Sequence, residues 1–546
     1  REGFITDIAN GDKYNDQDRY LVRGQLGWAP SDNVEFRLIA DYGKRDETCC
    51  AAVTDVAGPT SAIINGQTQL TGFQPLGQVI VPPDPFARNT TVSKEIGYTS
   101  DTTEGGVSLE IDWGLGPGDL VSITSYRDWE SERSQDLDYS NASILYRPLG
   151  GYSNTFKTFT QELRYAWSAG DFDLLVGAYY VDEQLDVLDG IRVGSSYNTY
   201  VNALILAGGE ANTLPTVTFA DGQGAQVDDF KQQTDSWAAF THNTWNMTDR
   251  FAATLGLRYT RETKDVDALL VADNPACLAA VTTNPDALGQ LGIGLTCLSL
   301  VSPLVDGTYN GSRTDKEWTG TFILDYDFTA DWMGYASYAR GYKAGGFNLD
   351  RSGLGNPLLG QTVSISNTEF EPETVDSFEV GAKANLANGA VKLNFAVFFS
   401  EFQDFQLNTF TGTNFVVTNL DKVESSGIEF EGTAFVADGL SLTAGITYND
   451  AKYGDNVSDP SLAGKRLTNA PEWVGTAAID YERSLTGTLL GFLRLDYRYT
   501  SERNTGSDLA PEKLQKATNV VNGTIGIGAD DGFWEIELWA RNLFDE

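Results

Sequence analysis

The sequence predicts an all-β protein, a large antiparallel up-and-down β-barrel that spans a membrane. Nine short turns alternate with long, polar loops along the 546-residue chain. The turns occupy residues 29–33, 115–119, 168–171, 246–250, 329–331, 386–389, 437–440, 482–487 and 529–532. A soluble sheet has no reason to place all its long loops at one end, whereas an outer-membrane barrel has short periplasmic turns and long extracellular loops. Each short turn joins two strands, so we expect about eighteen strands in total.

The segments between the turns show the alternation that is typical of strands. In residues 34–42, Phe36 and Leu38 fall on one face, and Arg37 and Asp41 fall on the other. The pattern recurs in residues 250–260, 493–499 and 534–541. Alternation alone fits a soluble sandwich as well as a membrane barrel. The predicted strands favour the barrel, because they are about 12–17 residues long and globular strands average about five or six.

Composition excludes several other classes of protein. The chain has no run of about 18 apolar residues, the length of a membrane-spanning helix. Its formal net charge of −38 predicts no binding to nucleic acid, since neutralising phosphates needs a basic surface. Aromatic residues make up 12% of the chain, which agrees with the aromatic girdles of barrels. No linker divides the chain, so one barrel is a simpler interpretation than about three or four globular domains.

All four cysteines fall in predicted long loops. Cys277 and Cys297 share one loop, and a disulfide between them would contribute about 3 kcal/mol in the chain-entropy model. Cys49 and Cys50 are adjacent and form either a vicinal disulfide or two thiols. We favour loop disulfides in an oxidising compartment. A metal site is the weaker interpretation, because the single histidine, His242, is far from these cysteines in sequence. No metal or cofactor is predicted.

The sequence does not predict an enzyme. A nucleophile–His–Asp arrangement would depend on His242, which falls in a predicted strand over residues 231–244. A glycosidase needs only two carboxylates, and a chain with 76 Asp and Glu residues contains such pairs by chance, so they do not indicate a glycosidase. No phosphate-binding glycine loop or zinc-ligand spacing is present. Two interpretations stay open on these observations: a passive porin-type channel, and a soluble β-rich binding or hydrolytic protein.

Several segments resemble the barrel of TonB-dependent outer-membrane receptors. They are YASYARGYKAGGFN at 335–348, FEPETVDSFEVGAKANL at 370–386, the segment at 425–453, NAPEW at 469–473 and ARNLFDE at 540–546. Upstream, residues 41–53 resemble family members with expanded loops. The resemblance implies a barrel of about twenty-two strands, of which about eighteen are present here. We therefore expect residues 1–546 to be one barrel domain, incomplete at both ends and without signal peptide or plug, with residues 1–8 ending an earlier barrel strand.

The resemblance also implies a function. Receptors of this family take up a scarce, bulky nutrient across the bacterial outer membrane, and ferric siderophores are the first expectation, ahead of cobalamin, carbohydrates or plant aromatics. Expected partners are outer-membrane lipid, the protein's own plug domain, and a small-molecule or metal-chelate ligand. TonB and its inner-membrane complex would act through the plug. The long loops, with every cysteine, would be extracellular, so Asn246 and Cys277 should lie at opposite ends of the barrel.

Ligand contacts are expected where a strand meets a long loop. The first candidates share the outer end of one predicted strand and are Arg340, Tyr342, Lys343, Phe347 and Asn348. The second candidates, Tyr146 and Arg147, lie in a long loop at 139–152. Arg and Lys would bind an anionic ligand, and aromatic side chains would stack on it. Alternatively, these cations pair with lumen carboxylates and the plug, and the nearby glycines only permit a bend.

Overall fold

Eighteen long antiparallel strands form one sheet that wraps into a barrel in a computed structural model of the chain. The structure describes residues 1–67, 74–93, 96–207, 219, 223–283, 291–410 and 415–546. Among these residues, no helix is long and apolar enough to cross a membrane. Each barrel strand is hydrogen-bonded in antiparallel register to the next barrel strand along the chain. The all-β prediction, the strand number and the up-and-down topology are confirmed.

The barrel strands are numbered β1 to β18 in chain order. They are β1 (Arg19–Ser31), β2 (Val34–Glu47), β3 (Thr99–Leu115), β4 (Gly118–Asp136), β5 (Leu145–Ala169), β6 (Phe172–Val193), β7 (Ala225–Thr248), β8 (Phe251–Asp273), β9 (Gly307–Thr329), β10 (Trp332–Lys343), β11 (Glu373–Leu386), β12 (Val391–Phe410), β13 (Phe415–Ala437), β14 (Leu440–Tyr453), β15 (Trp473–Thr486), β16 (Leu489–Thr500), β17 (Thr518–Ala529) and β18 (Glu535–Ala540).

The remaining regular elements described lie in the long connections. The α-helices are α1 (Ser61–Ile64), α2 (Tyr197–Ala207), α3 (Pro275–Thr283) and α4 (Leu291–Thr296). Short 3-10 helices cover Pro85–Ala87, Ser299–Val301, Pro303–Val305, Arg351–Leu354, Pro357–Leu359, Ile365–Thr368 and Pro511–Lys513. Short strands outside the barrel are Ile5–Asp7, Lys13–Tyr14, Asn89–Thr90, Gly346–Phe347, Glu369–Phe370, Arg503–Asn504 and Leu514–Gln515.

All nine predicted short turns connect neighbouring barrel strands. In the tightest of them, Leu115 pairs with Gly118 and Ala437 pairs with Leu440 across the hairpin. Cys277 lies beyond the far end of β8, which begins just after the turn that contains Asn246. The predicted orientation, with short turns at one barrel end and long loops at the other, is therefore confirmed.

The prediction that residues 1–8 end a barrel strand is wrong. Ile5–Asp7 pairs antiparallel with Lys13–Tyr14 and parallel with Asn89–Thr90, in a small sheet outside the barrel. Ile5 and Tyr14 are buried there against Ala51, Val92 and Tyr98. Ile5 and Asp7 share the buried face of this strand, which packs on neighbouring loops rather than on lipid.

The predicted strand lengths are also wrong, because β12 and β13 contain 20 and 23 residues and one side of the barrel consists of longer strands throughout. Strands β4 to β9 contain 19, 25, 22, 24, 23 and 23 residues. We call this side the tall wall. A strand of that length spans about 80 Å, whereas a membrane crossing takes about 9–11 residues. The upper halves of these strands carry polar residues on both faces, as in Asp228–Asp229 and Gln232–Gln233 of β7, so their composition is typical of a loop.

The outer face carries the features of a membrane-spanning surface. Near the short turns, aromatic rings pair at 5.1 Å (Trp28 and Phe36) and 5.6 Å (Phe172 and Trp245). About eight residues further along the strands, a second row contains Tyr259, whose ring lies 5.0 Å from that of Trp318. Exposed apolar side chains fill the band between the two rows, among them Leu163, Val176, Leu255, Leu257, Phe322, Val380, Phe395, Ile446, Ile479 and Ile525. Two aromatic rows that flank an apolar band define the bilayer position of a barrel.

Candidate functional site

The inner face of the barrel carries ion pairs that link different strands, either adjacent ones or, as for Arg127 of β4 and Asp41 of β2, strands on both sides of a third. The Arg127 guanidinium donates to both carboxylate oxygens of Asp41, with its Nη1 3.1 Å from Oδ1 and its Nη2 2.9 Å from Oδ2. Arg37 Nη1 lies 3.2 Å from Glu110 Oε2 on the next strand. These pairs alternate in sequence with the apolar residues that face the lipid. The inner face is therefore polar and suited to an aqueous lumen.

The connection between β10 and β11, residues 344–372, folds inward onto the tall wall. Its Arg351 donates to Asp228 of β7, with Nε 3.0 and 3.1 Å from the two carboxylate oxygens and Nη2 2.6 Å from Oδ1. Arg351 Nη1 also donates to the Ser302 carbonyl at 2.8 Å. Both charged side chains are almost completely buried. Burial raises the pKa of the Asp228 carboxyl to about 6, although the Arg351 charge opposes this shift.

An apolar cluster lies on the same loop. Phe347 and Leu354 pack against side chains of β7 and β8 that include Phe230, Val266 and Leu270. The cluster and the Arg351–Asp228 ion pair together fix residues 344–372 over the inner face of the tall wall. This arrangement narrows the extracellular mouth of the lumen.

The other loops of the tall wall share a second apolar core. Ile144, Tyr197 and Val201 from loops of the tall wall are buried together with Ile64, which comes from the loop between β2 and β3. The loop after β8 joins it through Leu295. The loops above the tall wall therefore form one packed cap rather than separate flexible segments.

The cysteines stabilise this cap. Cys277 and Cys297 form a disulfide, as predicted, and both are buried with Ala280 and Ile293. Cys49 and Cys50 form a vicinal disulfide across a cis peptide bond, so of the two alternatives left open by the sequence the structure has the disulfide.

A buried pair of carboxylates lies where β4 enters the cap. Asp138 accepts hydrogen bonds from the backbone N–H groups of Ile144 and Leu145, each at 3.2 Å. Asp136 is fully buried and accepts from the Ser93 N–H at 3.3 Å. Burial, followed by the neighbouring Asp138 carboxylate, raises the pKa of Asp136 to about 9.

Arg340, the first predicted ligand contact, lies on the outer face of the barrel. Tyr338, two residues earlier in the strand, is on the same face, and its ring packs 5.0 Å from the ring of the lipid-facing Phe378. Arg340 Nη1 donates to Asp376 Oδ2 at 3.0 Å, and the Tyr338 hydroxyl donates to Asp376 Oδ1 at 2.6 Å. The pairing of β10 with β9 ends at Arg340, and the chain beyond it turns toward the lumen.

The other residues of this group have different surroundings. Phe347 is buried in the apolar cluster described above. The Asn348 amide donates to the Val417 carbonyl at 3.0 Å and accepts from the Val417 N–H at 2.8 Å. Tyr342 is half-buried with Glu262 and Asp315 among its charged neighbours, and Lys343 is exposed.

The second predicted group is at the top of the tall wall. Arg147 donates to Asp189 through Nε at 2.9 Å and Nη2 at 3.1 Å, and its guanidinium lies 4.8 Å from the Tyr152 ring centre. Tyr146 is half-buried on the same strand and pairs with Asp136 and Arg192 of the flanking strands. The structure therefore places the two predicted groups on different strands and gives most of their members partners within the chain.

One cavity was not predicted from the sequence. It has a volume of about 420 Å3 and lies at the loop end of β16 and β17, with Arg498, Thr500, Arg503 and Thr518 in its wall. The alternation of Arg494, Asp496 and Arg498 places these side chains on the inner face, but no local pattern predicts that the next loop brings Arg503 beside them.

Comparison with known proteins identifies the family. Residues 60–543 match the family described as TonB dependent receptor-like, β-barrel. The chain belongs to this family. Its members are outer-membrane receptors and transporters rather than enzymes, so the chain is an integral outer-membrane protein. The family match and the exposed apolar band contradict the soluble alternative.

Individual relatives are distant. The pesticin receptor of Yersinia enterocolitica is 22% identical over 364 residues, which cover 66% of this chain and 40% of that protein. The ferric yersiniabactin uptake receptor FyuA of Yersinia pestis superposes with a TM-score of 0.71 at 17% identity, over 100% of this chain and 69% of that one. The siderophore receptor PiuA of Acinetobacter baumannii gives a TM-score of 0.66 at 15% identity, over 97% and 70%. The chain thus spans less than half the length of the curated receptor it matches.

Proposed function

We propose that residues 1–546 form the barrel domain of a TonB-dependent receptor that takes up a ferric siderophore across the outer membrane. The relatives carry this proposal, because the similar proteins include a pesticin receptor, a ferric yersiniabactin uptake receptor and a siderophore receptor. In this proposal a plug domain occupies the lumen, and TonB with its inner-membrane complex acts on that plug. Lipid surrounds the apolar band.

The geometry supports a gated passage rather than a permanently open pore. The inner face is charged, and residues 344–372 fold over it through the buried Arg351–Asp228 ion pair. A passive porin needs an unobstructed aqueous channel. Of the predicted ligand contacts, Tyr342 and Lys343 are the ones we propose to face the ligand, from the end of β10 next to this loop, because most of the other members have partners within the chain.

Uptake of iron tests the proposal. The complete receptor is produced in a Gram-negative host that lacks its own siderophore receptors but retains TonB, and accumulation of radioactive iron is followed with a panel of ferric siderophores. We expect saturable uptake that disappears when the proton-motive force is collapsed or TonB is deleted. Uptake that is linear in concentration and independent of TonB would support the porin alternative. Saturable, TonB-dependent uptake of cobalamin or an oligosaccharide alone would contradict a siderophore ligand.

A further inference from the structure

The cavity at the loop end of β16 and β17 differs in charge from two cavities at the short-turn end of the barrel. One cavity at the short-turn end has Asp119 and Asp173 in its wall, and another has Asp480 and Glu482 together with Arg494. The 420 Å3 cavity at the loop end has two arginines in its wall and no carboxylate. The chain carries 38 Lys and Arg residues against 76 Asp and Glu residues, so such a cavity is contrary to the overall charge. This cavity is therefore a local site of positive potential in an acidic protein.

The charge of Arg498 is not neutralised by its neighbour on the strand. Asp496 lies two residues away on the same face, but it accepts a hydrogen bond from the Asn522 amide at 2.6 Å instead. Among the described residues, Arg498 has no carboxylate within ion-pair distance. Its guanidinium is exposed to the lumen.

At two other places in the barrel, a cation and a carboxylate two residues apart on one strand pair with each other. Arg313 Nε lies 3.0 Å from Asp315 Oδ1, and Lys452 Nζ lies 2.7 Å from Asp450 Oδ2. The spacing of Arg498 and Asp496 thus permits an ion pair that the structure does not form. An arginine left in this state is available to an anion that enters the lumen.

The second arginine is held in place by the loop between β16 and β17. The short strand Arg503–Asn504 pairs with Leu514–Gln515. The Asn504 carbonyl accepts from the Asn469 N–H at 2.8 Å, and the Asn504 amide donates to the Ala510 carbonyl at 2.8 Å. Thr500, between the two arginines in sequence, is buried. The backbone that carries Arg503 is therefore ordered before any ligand arrives, which lowers the entropy lost on binding.

We propose that Arg498 and Arg503 bind an anionic group of the transported chelate, such as the phenolate or carboxylate oxygens of a ferric siderophore. Each guanidinium presents planar donors that match such oxygens, and the hydroxyls of Thr500 and Thr518 provide further donors. The cavity is at the small end of ligand-site volumes, about 300–1,000 Å3, so it accepts one arm of a chelate rather than the whole. The inference rests on the proposed uptake of ferric siderophores and assigns them a negative charge.

Binding measurements on the complete, detergent-solubilised receptor test the inference. Two probes are used: the trianionic ferric complex of a hexadentate tris-catecholate and the uncharged ferric complex of a hexadentate trihydroxamate. Quenching of tryptophan fluorescence gives the Kd of each. We expect the wild type to bind the trianionic chelate more tightly than the uncharged one. Arg498→Ala and Arg503→Ala should each weaken that binding about tenfold, and the lysine variants should lose less, because Lys keeps the charge without the planar fork.

Arg494→Ala is the matched control. Arg494 is on the same face of β16, but its guanidinium lies 3.7 Å from Asp480 and 5.0 Å from the Phe492 ring centre. Its replacement should leave the Kd unchanged, and retained heat-modifiable migration on gels shows that each variant has a folded barrel. Preference for the uncharged chelate, or an unchanged Kd in the Arg498→Ala, Arg503→Ala double variant, would overturn the inference while leaving siderophore uptake intact. Failure to bind either chelate would overturn the proposed function itself, and the inference with it.

Discussion

The tall wall of the barrel and the side formed by β14 to β18 belong to one sheet but differ in how far their strands extend beyond the membrane on the extracellular side. Strands of the tall wall contain 19 to 25 residues, whereas β14 to β18 contain 14, 14, 12, 12 and 6. We call β14 to β18 the low wall. Both walls have the same alternation of lipid-facing apolar and lumen-facing polar residues within the bilayer. The difference lies in the polar extension, which only the tall wall has.

The extension gives the tall wall a surface on which loops can pack. Two apolar clusters, the Cys277–Cys297 disulfide and the Arg351–Asp228 ion pair all lie there. The low wall also carries an apolar loop cluster, in which Tyr453, Val457 and Leu462 pack with residues of β12 and β13, but its arginine cavity lies open to the lumen. We infer that the tall wall is a rigid support for the extracellular cap and that the low wall is the side at which a ligand gains access. The following predictions test that division.

The largest effect is expected at the buried ion pair of the tall wall. Arg351→Met leaves the Asp228 carboxylate buried without its partner, which costs about 3–5 kcal/mol. The loss should appear as faster hydrogen exchange of the backbone amides in residues 344–372, while amides of the low wall keep their protection. The double variant Arg351→Met, Asp228→Leu removes both charges and should recover most of the protection. Unchanged exchange in the single variant would contradict a supporting role for this pair.

Loss of the Cys277–Cys297 disulfide is expected to destabilise the cap somewhat less than loss of the buried ion pair. Replacing Cys277 and Cys297 together by alanine frees a ring whose closure stabilises the fold by about 3 kcal/mol in the chain-entropy model. Hydrogen exchange should increase in α3 and α4. The matched control replaces Cys49 and Cys50 by alanine; this pair encloses no intervening residue, so a comparable entropic loss is not expected. Equal losses in both double variants would show that the cap does not depend on the long-range link.

The cap should also loosen as the pH rises. Because burial raises the pKa of Asp136 to about 9, from about 3.9 in an unfolded chain, the folded state holds this proton more tightly. The stabilisation is complete below about pH 4 and is lost as the pH rises through about 9. Between pH 7 and pH 8, the opening constant of the segment after Asp136 should increase by up to about tenfold.

Hydrogen exchange of residues 137–145, corrected for the intrinsic rate at each pH, measures this opening. Asp136→Asn keeps the group uncharged and should remove the pH dependence. Asp32→Asn, in an exposed short turn, is the control and should leave the dependence as in the wild type. A pH dependence that survives in Asp136→Asn would assign the titration to another group of the cap.

The same contrast explains what the sequence could predict. The short turns, the strand number and the orientation follow from local signals, since a period-two pattern and turn residues are readable within about ten residues. The height of the tall wall was missed, because residues such as Asp228 and Gln233 are polar on both faces of β7 and resemble a loop. Site residues depend on longer-range contacts. Asp376 lies opposite Arg340 because of the pairing register of β10 and β11. Arg503 lies beside Arg498 because of the path of the loop between β16 and β17.

The smallest effect is expected at Arg340. Its pair with Asp376 is on the outer face and partly exposed, with 40% of the Arg340 side chain accessible, so Arg340→Ala should change stability by about 0–1 kcal/mol. Because the side chain points away from the lumen, the Kd for a ferric chelate should also stay the same. Lys343→Ala is the comparison, since Lys343 is exposed beyond the point where β10 turns inward. A loss of chelate binding in Arg340→Ala but not in Lys343→Ala would place the ligand contact at Arg340, on the outer face of β10. That outcome would weaken the case that the ligand gains access at the low wall.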